Sequence, residues 1–351
     1  MTAEPGDLLE SRMLKVVADT LDDAGHRLRR PAVVRRRSTA RSQLYFLGER
    51  GGPPEFVVKA PLADAQSEHP PLDAGAQFSA LRRSHGWFRR EPRHGVAEPL
   101  VVLPDLGVLV MRYAPGPTVA DVFAASPRQR QAAVDAAGAA GEFLRRFHAH
   151  AEVGAAEVRV ADLAAEIRSD AQDILSPLGR SLPGDVCKAL ERSPDLSIRA
   201  RRVVRHGDFV GANLIVAGKR HLTMLDPALS EVGLPEDDAC RFLAHLASTT
   251  VFMGGVVWRP YRRLRQSLEA EFLAAYGRLP NPQPIFELRL LRQYVLRWAR
   301  RVEIAKTAAN GLILTAQERV IDTHMRGLLA ESAERLTAVL KRTCRSVEAV
   351  A

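Results

Sequence analysis

Arg205-His206-Gly207-Asp208-Phe209-Val210-Gly211-Ala212-Asn213 places a His-x-Asp, with an Asn five residues after the Asp, between two β-type runs. A further Asp, Asp226, closes the next such run, Leu222-Thr223-Met224-Leu225-Asp226. These residue types suit phosphoryl transfer, which asks little covalent chemistry of a protein. It needs a carboxylate to orient and deprotonate the attacking hydroxyl, oxygen ligands for Mg²⁺, and a cation on the phosphates. Asp208 suits the first task. Asn213 offers a carbonyl oxygen to the metal, and Asp226 an ionised ligand. A hairpin between Asn213 and Asp226 would bring both to one edge. With 10 His, 19 Asp and 3 Asn in the chain, His-x-Asp-x4-Asn is expected by chance about 0.005 times. Singly, each residue is as well explained by turn capping or by a satisfied core histidine. The ordered set between strands is not.

The elements that must position these residues follow from periodicity. Leu8, Leu9, Met13, Val16, Val17 and Leu21 predict an N-terminal amphipathic helix. Short β-type runs follow at Val33–Arg37, Gln43–Leu47 and Phe56–Ala60. The last two are joined by the turn-forming stretch Gly48–Pro54, which implies an antiparallel hairpin. A helix is expected from Leu72 to about Ser84, then strands over Val96–Leu103 and Val108–Met111. Ala114-Pro115-Gly116-Pro117 reads as a linker. Beyond it helices dominate, at about Val119–Ala124, Arg128–His150, Ala161–Leu175, Pro183–Glu191, Glu236–Ser248, Tyr261–Tyr276, Phe286–Ala309 and Leu312–Arg342. One β-type patch, Arg202–Arg205, Leu214–Ala217 and Leu222–Leu225, interrupts them. The class is α+β: a small antiparallel β region followed by a large helical one.

The 351 residues are 46% hydrophobic and 26% charged, enough to bury a core and unlike a disordered chain. The formal charge of +9 raises the question of an anionic partner. Lys occurs only at 15, 59, 188, 219, 306 and 341, so 44 of the 50 cations are Arg. Compositional bias yields the same balance, and charge alone decides nothing. Cys187, Cys240 and Cys344 are odd in number and widely spaced, which excludes a disulfide framework and a structural zinc site. The acidic start MTAEPGDLLE does not read as a signal peptide, and no apolar run is long enough for a membrane span. A cytoplasmic protein without a membrane partner is expected. GxSxG, HExxH, Walker A and GxGxxG patterns are all absent from the sequence.

The His206–Asp226 segment resembles the catalytic loop and metal site of the aminoglycoside phosphotransferase/choline kinase-like family, relatives of the protein kinases. Phe56-Val57-Val58-Lys59 resembles the strand whose Lys holds the α/β-phosphates, and Lys59 is a rare Lys in an Arg-rich chain. Val108–Gly116 resembles the hinge whose backbone receives adenine, which points to Met111 and Tyr113. Phe143–His148 resembles the helix ending in Leu-x-x-Leu-His. Gly233-Leu234-Pro235-Glu236-Asp237-Asp238 resembles the Gly-x-Pro-x-x-Asp that buttresses the catalytic loop; Asp238 fills its last position, with Asp237 adjacent as a competitor. His206 would support the same loop. The resemblance implies a protein-kinase-like bilobal fold: a nucleotide-binding lobe over 1–113, a hinge at 114–117, and a helical catalytic and substrate lobe over 118–351. It implies ATP or GTP as co-substrate with Mg²⁺.

Two departures stand out. The stretch expected to cover the phosphates, residues 36–43, contains no glycine, so Ser38, Thr39 and Ser42 hydroxyls or Arg41 would have to make those contacts. Where the family carries a Glu paired with the strand Lys, the best alignment has Gln77, with Glu68 an awkward substitute. The acceptor must be argued from charge. Trp258–Arg265 and the helix carrying Arg289, Arg292, Arg297, Arg300 and Arg301 are rich in cations. A solvated helix surface is the plainer account of them, yet their sign disfavours a polycationic acceptor. The expectation is a small-molecule kinase acting on a hydroxyl of a neutral or anionic compound, such as a sugar or natural product. The alternatives are a catalytically degenerate kinase-like binding protein and a nucleic-acid binder. The latter lacks any helix-turn-helix, RNP or zinc-finger pattern.

Overall fold

The β-branched and aromatic runs near the N-terminus need a partner for their apolar face, and an amphipathic helix supplies it. In the computed structural model, which describes residues 5–39, 42–62, 73–229, 231–253, 259–308 and 311–348, these segments are α1 (Pro5–Asp23), β1 (Pro31–Ser38), β2 (Ser42–Glu49) and β3 (Pro54–Pro61). They are followed by α2 (Ala74–Phe88), β4 (His94–Val96), β5 (Pro99–Leu103) and β6 (Val108–Arg112). The antiparallel sheet runs in the order β1-β2-β3-β6-β5. Met13, Val17 and Leu21, four residues apart on α1, bury against Leu47, Phe56, Val58, Val108 and Val110.

The β2–β3 hairpin forms as its turn chemistry requires. The expected single strand over 96–103 is instead two. Pro99 has no amide N–H to continue a ladder, so β5 pairs with β6 while β4 lies parallel to another strand, β10 (His221–Met224). The chain divides accordingly into two compact units, Met1–Gly116 with His221–Ala228, and Pro117–Arg220 with Leu229–Ala351.

The second unit contains α3 (Val119–Ala124), α4 (Arg130–His150), β7 (Glu152–Arg159), α5 (Val160–Asp170), α6 (Gly184–Glu191), β8 (Ser197–Val204) and β9 (Leu214–Gly218). After the excursion through β10 come β11 (Val232–Gly233), α7 (Pro235–Ala247), α8 (Thr250–Met253), α9 (Arg259–Tyr276), α10 (Gln283–Ala308) and α11 (Gly311–Glu348). The helix expected over 161–175 ends at Asp170 and continues as a wider π-type turn, Ala171–Leu175. β7 was not foreseen: its side chains are almost all exposed, so no apolar alternation marks it, yet it pairs with β8 along its length. The α+β class stands. Gly141 lets α4 approach α9 closely, since a Cβ there would lie 2.2 Å from the Phe272 carbonyl oxygen. Among the described residues, no helix is long and apolar enough to cross a membrane.

Candidate active site

Lys59 stands on β3, between Leu44 of β2 and Leu109 of β6, and is 8% exposed. A buried ammonium needs an anionic partner. Its Nζ lies 2.7 Å from Asp226 Oδ1, within the first unit. The route of the chain makes this pair. β10 lies parallel on β4, Ala97 donates its N–H to the Met224 carbonyl, and the chain then turns at Asp226, where φ is +49°. Asp tolerates that left-handed conformation better than most residues do.

The other nucleotide candidates also fall in this unit. Met111, on β6, is buried between Val57 and Pro99. The Tyr113 amide donates to the Glu55 carbonyl at 2.8 Å, and its ring meets Phe46 edge-on, with the Arg35 guanidinium over Phe46. Ser38 is exposed at the end of β1. Thr39 and Ser42 are engaged with one another. Thr39 Oγ1 donates to the Ser42 carbonyl at 3.0 Å and accepts the Ser42 N–H at 3.0 Å. Arg41, Glu68 and Trp258 lie outside the described residues. Gln77 is half-buried in the first turn of α2.

Asp208 and Asn213 meet in the second unit. Asn213 Nδ2 donates to the Asp208 carbonyl at 2.9 Å and to Asp208 Oδ2 at 3.0 Å. That fixes the amide so that its carbonyl oxygen faces away from Asp208. The Asp208 side chain remains 44% exposed, with Arg241 Nη1 3.6 Å from Oδ1. Gly207 supplies the positive φ, +84°, on which the turn into Asp208 depends.

Behind the loop lies a buried relay. Asp238 Oδ2 accepts the His206 N–H at 2.8 Å, and Oδ1 accepts the Gly207 N–H at 3.0 Å. His148 Nε2 reaches Asp238 Oδ2 at 3.2 Å, while its Nδ1 is 2.9 Å from the Tyr276 hydroxyl. Burial raises the Asp238 pKa, but the bond and charge of His148, with His206, outweigh it and hold the carboxyl at about 2. Burial pushes the Tyr276 phenol up, keeping its hydroxyl protonated beside His148 Nδ1. Asp237 does different work: its Oδ2 accepts the Leu234 N–H at 3.1 Å and lies 3.4 Å from Arg205 Nη1, and its Oδ1 lies 3.2 Å from Arg289 Nε. Of the adjacent pair, Asp238 braces the loop. His206 is fully buried, its ring 5.5 Å from that of Phe209 and 5.8 Å from that of Phe147. Phe209 in turn stacks on Phe143 and leans on Phe242.

Each unit carries a donor of a type that Mg²⁺ accepts, the Asp226 carboxylate in the first and the Asn213 amide oxygen in the second. No trio of His, Cys, Asp or Glu forms a metal cage among the described residues.

Sequence reasoning missed the Asp208 contact with Arg241 and the buried pair of Glu236 with Asn281, whose Nδ2 lies 2.8 Å from Glu236 Oε2. The first joins residues 33 positions apart, on different segments of the chain. The second joins residues 45 positions apart and leaves no local trace.

Residues 33–294 match the family described as Phosphotransferase enzyme family. No curated protein matches the chain. Among solved structures, glucosamine kinase in complex with glucosamine, ADP and inorganic phosphate is 17% identical, covering 89% of this chain and 82% of that one, with a TM-score of 0.53. A second glucosamine kinase structure is 20% identical over 85% of this chain and 75% of that one, at 0.50. An amicoumacin kinase in complex with AMP-PNP, Ca²⁺ and Ami is 12% identical over 93% of this chain and 94% of that one, at 0.50. At these identities the structures show the kinase-like fold.

Proposed function

Because the chain belongs to the phosphotransferase enzyme family and is a small-molecule kinase, we propose that it transfers the γ-phosphate of ATP or GTP, with Mg²⁺, to a hydroxyl of a small neutral or anionic compound, a sugar or natural product. The observation that carries this reading is Asp208: its carboxylate is oriented by Asn213 and the loop behind it is braced by Asp238, yet it stays open to a ligand. Asp208 accepts the proton of the attacking hydroxyl. That oxygen forms a bond to the γ-phosphorus as the bond to the β-phosphate bridging oxygen breaks, and the nucleoside diphosphate leaves with that electron pair. Lys59 holds the α/β-phosphates, and Asn213 and Asp226 hold the metal, which neutralises phosphate charge when bound. Met111 and Tyr113 border the adenine site, and Ser38 or Arg41 would contact phosphate in place of loop glycines. His206, Gln77 and Asp238 support these groups. Residues 1–113 serve as the nucleotide lobe, 114–117 as its hinge and 118–351 as the catalytic lobe. The free cysteines fit a reducing, cytoplasmic setting.

A screen for Mg-nucleotide consumption over hydroxylated antibiotics, sugars and amino alcohols, with Asp208→Ala as control, tests the reading. Turnover that Asp208→Ala abolishes supports it. Turnover unaffected by that change, or no thermal stabilisation by Mg-nucleotide, refutes it. The degenerate binding-protein reading draws on the glycine-free loop, and nucleotide binding with no turnover of any acceptor would favour it.

A further inference from the structure

Arg241 pairs with Asp208, and two turns further along the same helix Arg297 and Arg301 meet at Ser248 with no carboxylate partner among the described residues. Arg241 and His245 lie one turn apart on α7, and Arg297 and Arg301 one turn apart on α10, the helix that packs against it. Arg241 Nη1 is 3.6 Å from Asp208 Oδ1. Arg297 Nε donates to the fully buried Ser248 hydroxyl at 3.1 Å, and Arg301 Nη2 donates to the Ser248 carbonyl, both at the C-terminal end of α7. Arg297 and Arg301 are half-buried. Among the described residues, Asp208 is the one carboxylate that any of the three pairs with.

Neighbouring arginines show how unusual this is. On the same helix, Arg289 pairs with Glu166 at 2.8 Å, Arg292 with Asp170 at 2.6 Å, and exposed Arg300 with Glu303 at 3.3 Å. The plainer account is that Arg297 and Arg301 cap α7. A helix C-terminus, however, carries only about half a negative charge, and Asp208 adds one, against three guanidinium charges. Burial and the charges of Arg301 and Arg241 pull Arg297 down to about 10, and burial, with the charges of Arg297 and Arg301, lowers the half-buried His245. The cluster is short of anion.

We infer that Arg241, Arg297 and Arg301 bind an oxyanion, a carboxylate or phosphoryl group, carried by the acceptor whose hydroxyl reaches Asp208. This inference rests on the phosphotransferase reading above and names its substrate class: an anionic alcohol, such as a hydroxy acid or a sugar phosphate. Guanidinium groups suit this task because their planar forks meet carboxylate and phosphate oxygens two at a time. Bound there, the anion would relieve the mutual repulsion of the arginines and draw Arg241 from Asp208, leaving that carboxylate to the hydroxyl.

The test compares acceptors of one skeleton: gluconate and glucose 6-phosphate against glucose and glucosamine. Each is assayed with Mg-ATP and, separately, by thermal shift without nucleotide, in the wild type, Arg297→Gln and Arg301→Gln. We expect KM for an anionic acceptor at least tenfold below that of glucose, with glucosamine the poorest. Each variant should raise the anionic KM about tenfold or more while leaving the Mg-ATP thermal shift in place. Response to gluconate alone assigns a carboxylate, and to glucose 6-phosphate alone a phosphoryl group. Preference for glucose or glucosamine, or variants that bind the anions as the wild type does, overturns the oxyanion site and leaves the kinase reading intact. If no acceptor turns over, an anion-induced thermal shift lost in both variants still supports the site, and its absence refutes it. Loss of the Mg-ATP thermal shift would instead count against the kinase reading itself.

Discussion

Replacing Asp238 by Asn changes one atom type in a buried carboxylate whose two oxygens both accept hydrogen bonds. Asp238 is 1% exposed and accepts bonds from the His206 and Gly207 amides and from His148. Its pKa of about 2, against an ordinary 3.8, corresponds at about 1.4 kcal/mol per pH unit to ~2 kcal/mol of folding stability at pH 7. Because the folded pKa is the depressed one, that contribution is present above about pH 4 and is lost as pH falls through about 2. An Asn there keeps one acceptor oxygen but turns its NH₂ toward at least one of three N–H donors, leaving a buried donor unsatisfied. Loss of the charge and of that bond together predict destabilisation by ~2–4 kcal/mol. The freed loop would also misplace Asp208, and a displacement near 1 Å is worth roughly 10²-fold in rate. Urea unfolding followed by circular dichroism at pH 7 and pH 3 reads the first effect, and kcat with any acceptor the second. The wild type should lose more stability than Asp238→Asn on going to pH 3. An Asn variant with wild-type midpoint at pH 7 and an unchanged pH dependence would refute the reasoning.

Two further outcomes follow from packing and burial. Gly141→Ala places a Cβ 2.2 Å from the Phe272 carbonyl oxygen and 2.9 Å from the Tyr276 amide, so α4 must move off α9; a loss of ~1–3 kcal/mol is expected, and an unchanged Tm would count against the close approach. Burial raises Glu236 from 4.5 to about 7, against the opposing bonds from Asn281. With the folded pKa the higher one, its stabilising contribution is full at low pH and fades as pH rises through about 7, by ~3 kcal/mol in all. Glu236→Gln should flatten the decline in stability between pH 5 and pH 8, and parallel curves for the two proteins would sink the assignment.

Much of this molecule is written locally. Apolar residues at helical spacing mark α1, α4, α7, α9, α10 and α11, and glycines and prolines mark the β2–β3 turn, because each device acts within a few residues of itself. The His-x-Asp-x4-Asn spacing is likewise local, and Asn213 reaches Asp208 across a single turn. What tertiary structure alone decided involves partners far apart in sequence. Local pattern gives no reason for His221–Ala228 to join the first unit, yet that excursion delivers Asp226 to Lys59. Sequence left Asp237 as a competitor to Asp238; two backbone amides about 30 residues away distinguish them. β7 stayed hidden because its ladder satisfies backbone groups while its side chains face water. The Arg-rich face of α10 looked uniform until packing gave Arg289 and Arg292 their carboxylates and left Arg297 and Arg301 against Ser248. Periodicity records which face of an element is buried, whereas the identity of what it is buried against is fixed only when the chain closes on itself.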